Sequence, residues 1–269
     1  MSQPITRRRF LVAGASVLAA GAAALVGGTY AKYVTSDSKE DKARAAKFGV
    51  VVKADGDLFG KTYVSALDTT YGNKPAADSY TGTLTVVSSG DYSVVAPGTR
   101  NDEGLTLSFS GKPEVAVQVT ATAEGKDVFL KAGTYADATG APGDDGVYAT
   151  AAYADYYPVK YTLTWSERTD PLVDKGSLET LLLYINKTLS GELNNAIAAA
   201  GGVSKADLAE ALGTLTLTWE WAFAETDAEN RADTLLGALA AGLAGVAVDA
   251  GSYNLEPEIK VAVTVAQVD

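Results

Sequence analysis

Between residues 214 and 223 the side chains alternate without a break. Leu215, Leu217, Trp219, Trp221 and Phe223 are apolar, and Thr214, Thr216, Thr218, Glu220 and Ala222 stand between them. Successive side chains on a strand point to opposite faces. The segment therefore builds a sheet with one apolar, buried face and one threonine-rich face. Tyr161, Leu163 and Trp165 repeat the pattern against Thr162, Thr164 and Ser166, and Ile259, Val261, Val263 and Val265 repeat it near the C-terminus. Leu105, Leu107 and Phe109 lead through Gly111-Lys112-Pro113 to Val115, Val117 and Val119. That pair reads as a hairpin or a sheet-switching corner. Further strands are expected at residues 48–53, 81–87 and 92–95. Strands do not alternate regularly with helices, which argues against a doubly wound fold. The expected fold is mainly β, two packed antiparallel sheets in a β-sandwich with helical insertions.

The insertions are expected near residues 177–212 and 227–244. Leu178, Leu181, Leu182, Ile185, Leu189, Leu193 and Ile197 recur at three- and four-residue steps, one stripe of a helix. Ser177 is placed to cap its start and Gly201-Gly202 to end it. Ser204 with Asp207, and Thr226 with Glu229, read as capping boxes for two more helices. Asn186-Lys187-Thr188 is a glycosylation triplet, but it falls inside the first helix and carries no weight.

The N-terminus has a different character. Thr6-Arg7-Arg8-Arg9-Phe10-Leu11 precedes an Ala/Gly/Val/Leu run that ends at Gly27-Gly28-Thr29-Tyr30-Ala31-Lys32. A cationic head, an apolar run and a small-residue exit is the layout of an export signal. Cleavage is expected between Ala31 and Lys32, giving a signal over residues 1–31 and a single domain over 32–269. The alternative is a retained anchor, since about 20 apolar residues span a bilayer. Arg7, Arg8, Phe10 and Leu11 match the twin-arginine export pattern, although Val12 stands where lysine is common. A general secretory signal is the other route. Either way the chain is expected outside the cytoplasm or on the cell surface.

Charge and residue types narrow the chemistry. The chain has 22 Lys+Arg against 33 Asp+Glu, a formal net charge of −11. Such a surface repels nucleic acid. There is no cysteine and no histidine, so no Ser-His-Asp triad, Cys-His pair or His-Glu-x-x-His zinc site can be built. No catalytic or cofactor-binding residue stands out, and the chain is not expected to be an enzyme. Ser36-Asp37-Ser38-Lys39 matches Ser-x-x-Lys without its companion motifs. Calcium is the one metal considered. Asp55-Gly56-Asp57 begins like a calcium loop, but Ala66 replaces its closing Glu, and Asp144-Asp145 reads as a turn. Tyr153, Tyr156 and Tyr157 form either a surface patch for a glycan or another subunit, or the half-buried aromatics of a strand entry.

The exit Gly27-Gly28-Thr29-Tyr30-Ala31, the aromatic Tyr33, the polar Thr35-Ser36-Asp37 and a first strand at Phe48 resemble the TasA/camelysin family of exported bacterial proteins, which includes biofilm-matrix fibre subunits. Trp219-Glu220-Trp221-Ala222-Phe223, Asp233-Thr234-Leu235-Leu236-Gly237 and the closing Val263-Thr264-Val265-Ala266-Gln267-Val268-Asp269 are similar to related secreted proteins. The resemblance implies a jelly-roll-like sandwich, a dedicated signal peptidase and export machinery as partners, and self-association into fibres by strand donation. In that mode the freed N-terminal segment pairs with an exposed sheet edge of the next subunit. Phe48, Val50 and Val52 are the candidate donor residues. The competing class is a monomeric surface protein that binds a ligand or cleaves one, as a camelysin-like peptidase or a glycan-acting protein.

Overall fold

The structure, a computed structural model, describes residues 47–59, 62–65, 83–85, 95–144, 146–201, 207–242 and 251–268. The chain divides into two compact units, Met1–Phe48 and Gly49–Asp269, and the architecture that follows belongs to the second. It is mainly β, with antiparallel strand pairing and helical insertions.

The largest sheet is built on the alternating segment. β1 is Val51–Asp55, β2 Thr62–Ser65, β3 Thr83–Thr85 and β4 Thr99–Ser110. β5 is Val117–Lys126, β6 Phe129–Leu130, β7 Gly133–Ala136, β8 Thr150–Tyr153, β9 Lys160–Trp165 and β10 Val173–Gly176. β11, Thr214–Trp221, lies between β9 and β4 in the order β10-β9-β11-β4-β2-β3, and β1 also pairs with β4. Leu215, Leu217, Trp219 and Trp221 are buried, and the threonines between them face out half-exposed. Thr216 stands beside Thr164 on β9 and Thr106 on β4. The strand ends at Trp221, so Phe223 does not extend its buried face as the alternation suggested. The Phe223 ring instead lies over Gly98, where a Cβ would come within 2.1 Å of it.

A bulge lets one edge of β4 serve two strands. Leu217 pairs with Leu105 while Trp219 pairs with Asn101, so the register shifts between them. Gly104 turns the chain there at φ +61°, and a Cβ on it would meet the Leu217 carbonyl at 2.2 Å. Asn101 holds the bulge: its Oδ1 accepts from the Glu103 and Gly104 N–H groups, and its Nδ2 donates to the Asp57 and Leu58 carbonyls. β1 pairs with β4 beyond the bulge and β2 before it, as bulges re-aim a strand and interrupt its pairing.

After β4 the chain switches sheets. β5 does not return along β4 but pairs over its length with β13, Glu258–Gln267. The Gly111-Lys112-Pro113 break is thus a corner and not a hairpin. β12, Tyr253–Asn254, pairs with β6, and β7 with β8.

The first helical insertion runs as α1, Leu178–Tyr184, a π-turn at Ile185–Leu189, and α2, Ser190–Ala199. Ser177 caps it by accepting from the Thr180 N–H. Its stripe Leu178, Leu181, Ile185, Leu189, Leu193 and Ile197 is buried in one cluster with Val117 and Val119 of β5 and the inner faces of β9 and β11. α3, Leu208–Leu212, starts from Asp207 as its cap, not as the third residue of a box opened by Ser204, which lies outside the described residues. α4, Asp227–Ala240, carries the expected Thr226/Glu229 capping box.

Candidate functional site

The two edges of the β5–β13 sheet differ sharply. On its outer side β5 meets the helical insertion, and side chains of the helix take the place of a strand. Asn194 Oδ1 accepts from the Val119 N–H and its Nδ2 donates to the Val119 carbonyl, both at 2.8 Å. Asn186 does the same for Ala123, at 2.9 and 2.8 Å. Between them Ser190 Oγ accepts from the Ala121 N–H at 2.9 Å and donates to its carbonyl at 3.4 Å. Three alternate residues of β5 therefore have both backbone groups satisfied.

The sequence makes this possible by spacing. Asn186, Ser190 and Asn194 each follow a buried residue, Ile185, Leu189 and Leu193. Each is therefore turned about 100° from the core stripe, on the flank facing the edge. Four residues of α-helix rise ~6.0 Å, and two residues of strand advance ~6.8 Å, so the two rows run nearly in step. Four residues overshoot a 3.6-residue turn. The π-turn at Ile185–Leu189, with its wider i→i+5 bonding, takes up that excess between Asn186 and Ser190.

The edge of β13 is the reverse case. In an antiparallel pair, residues that exchange backbone hydrogen bonds alternate with residues whose groups point away. Val119, Ala121 and Ala123 point their groups at the helix, so their partners on β13, Val265, Val263 and Val261, point theirs to the far side. Ile259 shares this parity. Among the described residues no strand pairs with that side of β13, and its four odd-numbered apolar side chains are half-buried. A few Cα atoms of β1 come within 8 Å of β13.

The candidate donor residues lie at and before β1. Val50 directly precedes β1 and Val52 lies within it, both half-buried, with Val52 opposite Phe109 of the chain's own β4. All five residues of β1 pair with β4, while Val51 is 58% exposed and Lys53, Ala54 and Asp55 are exposed at their side chains. Phe48 is 37% exposed. Arg7, Arg8, Phe10, Leu11, Ala31 and Lys32 lie outside the described residues, as do Ser36 to Lys39. Of the acidic spots, Asp55 is engaged by Lys53 Nζ at 2.6 Å and by the Gly56 N–H, and Lys53 holds its pKa below the ordinary value.

The tyrosines separate. Tyr153 is buried, and Tyr156 donates to Asp233 Oδ1 at 2.8 Å. Trp221 Nε1 donates to the same oxygen at 3.1 Å, and burial pushes the Asp233 carboxyl up to about 6. Tyr157 lies on the surface cluster with Phe129, ring centroids 5.9 Å apart, and receives a hydrogen bond from Lys131. It lines a cavity of about 1060 Å³ with Phe129, Tyr253, Leu182, Leu183 and Asp127. Asp127 is only 7% exposed. Its Oδ1 accepts from Tyr161 and from the Val128 N–H, and its Oδ2 has no hydrogen-bond partner among the described residues. Burial raises this carboxyl too, to about 6.

Sequence reasoning passed over Asn186, Ser190 and Asn194. The available signal was three short polar residues four apart beside an apolar stripe, but their role depends on which strand the helix meets. Compared with protein-family models and with curated proteins, the sequence matches none.

Proposed function

We propose that this chain is an exported structural protein, a subunit of an extracellular fibre or matrix that assembles by strand addition between copies. The observation that carries the reading is the outer edge of β13. It is ten residues long, rich in β-branched residues, and unpaired among the described residues. Such an edge is a template for another strand. The export-type N-terminus and the resemblance to fibre-forming exported proteins support the same reading. The donor is the segment of one subunit ahead of β1, residues 32–47, freed by cleavage after Ala31, since Val52 is itself paired with β4 of its own subunit. Main-chain hydrogen bonds then supply affinity and side-chain pockets the register, and a head-to-tail contact of this kind propagates as an open filament.

Electron microscopy of residues 32–269, with and without residues 32–47, tests it. Filaments are expected from the longer chain only. Filaments formed equally well by the shorter chain would refute donation by this segment. A second reading, a monomeric ligand-binding surface protein, draws on the cavity flanked by Phe129, Tyr157 and Tyr253. A mature chain that remains monomeric at high concentration favours it.

A further inference from the structure

Resting on that reading, we infer that strand addition by the N-terminal segment of a second copy is confined to the outer edge of β13, and that Asn186, Ser190 and Asn194 exclude it from β5 by standing in for a strand. The two edges belong to one small sheet and present the same kind of backbone row. On β5 the row at Val119, Ala121 and Ala123 is filled by six side-chain hydrogen bonds of 2.8 to 3.4 Å. On β13 the row at Ile259, Val261, Val263 and Val265 has no such cover among the described residues.

An incoming strand gains most where it satisfies groups that are otherwise left to water, and gains nothing where it must first displace bonds already made. Natural sheets protect edges by covering them with a helix, and here the cover uses the helix side chains themselves as acceptors and donors. The occupant also fits by length. The fifteen residues 32–46 span up to about 50 Å when extended, against ~34 Å for the ten residues of β13. The result is an assembly with one acceptor edge on this sheet.

Proline substitution separates the edge from the ladder. The Val263 N–H points away from β5, so Val263→Pro removes no intramolecular bond, whereas Thr264→Pro removes one to Thr120. In the mature chain, V263P is expected to fold and stay monomeric at concentrations where the parent assembles, and T264P to lose folded stability. The triple variant Asn186→Ala, Ser190→Ala, Asn194→Ala is expected to lose amide-exchange protection at Val119, Ala121 and Ala123 by about tenfold or more, the loss of a backbone bond's worth of stabilisation. It is also expected to gain a self-association that survives when V263P is added. Asn186→Ala alone, at the exposed end of the row, gives the same loss at Ala123 if the triple variant does not fold.

A V263P chain that assembles like its parent, still dependent on residues 32–47, overturns the edge assignment and leaves the fibre reading standing. A parent chain that stays monomeric while the triple variant associates overturns the fibre reading and supports the exclusion. Unchanged protection at Val119, Ala121 and Ala123 together with no new association overturns the exclusion.

Discussion

Burial raises the pKa of two carboxyls, the buried Asp127 and the half-buried Asp233. Asp127 accepts from Tyr161 and Asp233 from Tyr156 and Trp221, yet burial raises both pKa values to about 6 from an ordinary 3.8. A raised folded-state pKa means that the protonated form is favoured by folding. The associated stability is fully present below pH ~3.8 and is lost as pH rises through about 6. Between pH 5 and 7.5 each group is expected to cost about 1–2 kcal/mol. Melting temperature should therefore fall over that interval, and Asp233→Asn, which still accepts from Tyr156 and Trp221, should flatten the fall. A slope unchanged by D233N would show that Asp233 titrates normally. Trp221 itself is 4% exposed. Trp221→Ala is expected to destabilise by about 3–5 kcal/mol, as for other deleted buried aromatics, and a denaturation midpoint shifted by less than about 1 kcal/mol would place it at the surface.

Caps and periodicities decide the elements. Thr226 Oγ1 accepts from the Glu229 N–H, and Glu229 reaches back to the Thr226 N–H. Thr226→Ala is expected to cost about 1 kcal/mol in equilibrium unfolding. This box, the Ser177 cap, the buried stripe from Leu178 to Ile197 and the alternation of β9 and β11 were all legible in the sequence, because each depends only on neighbours within a few turns. What was not legible depends on partners. The Leu105–Val119 region offered a hairpin or a corner, and only the pairing of β5 with β13 decides for the corner. Phe223 continues the apolar alternation in sequence but leaves the strand to pack over Gly98. Asn186 looked like an idle glycosylation triplet. It satisfies Ala123, 63 residues earlier in the chain, a relation that no local pattern encodes. The short strands β7, β8, β10 and β12 have too few residues for a period to show.

Among the described residues a well-filled interior sits beside a two-stranded sheet whose two edges differ. A single buried cluster joins β4, β5, β9, β11 and the helices, and the helix closes one side of the β5–β13 pair with polar side chains. The other side keeps a backbone row that no strand covers among the described residues. This asymmetry links the fold to the proposed assembly, and amide hydrogen exchange reads it directly. Exchange is compared for the mature chain below and above the concentration at which it assembles. Val261, Val263 and Val265 are expected to exchange quickly in the monomer and to become protected on assembly, while Val119, Ala121 and Ala123 stay protected in both states. Assembly that leaves Val261, Val263 and Val265 exchanging as fast as before would refute strand addition at this edge.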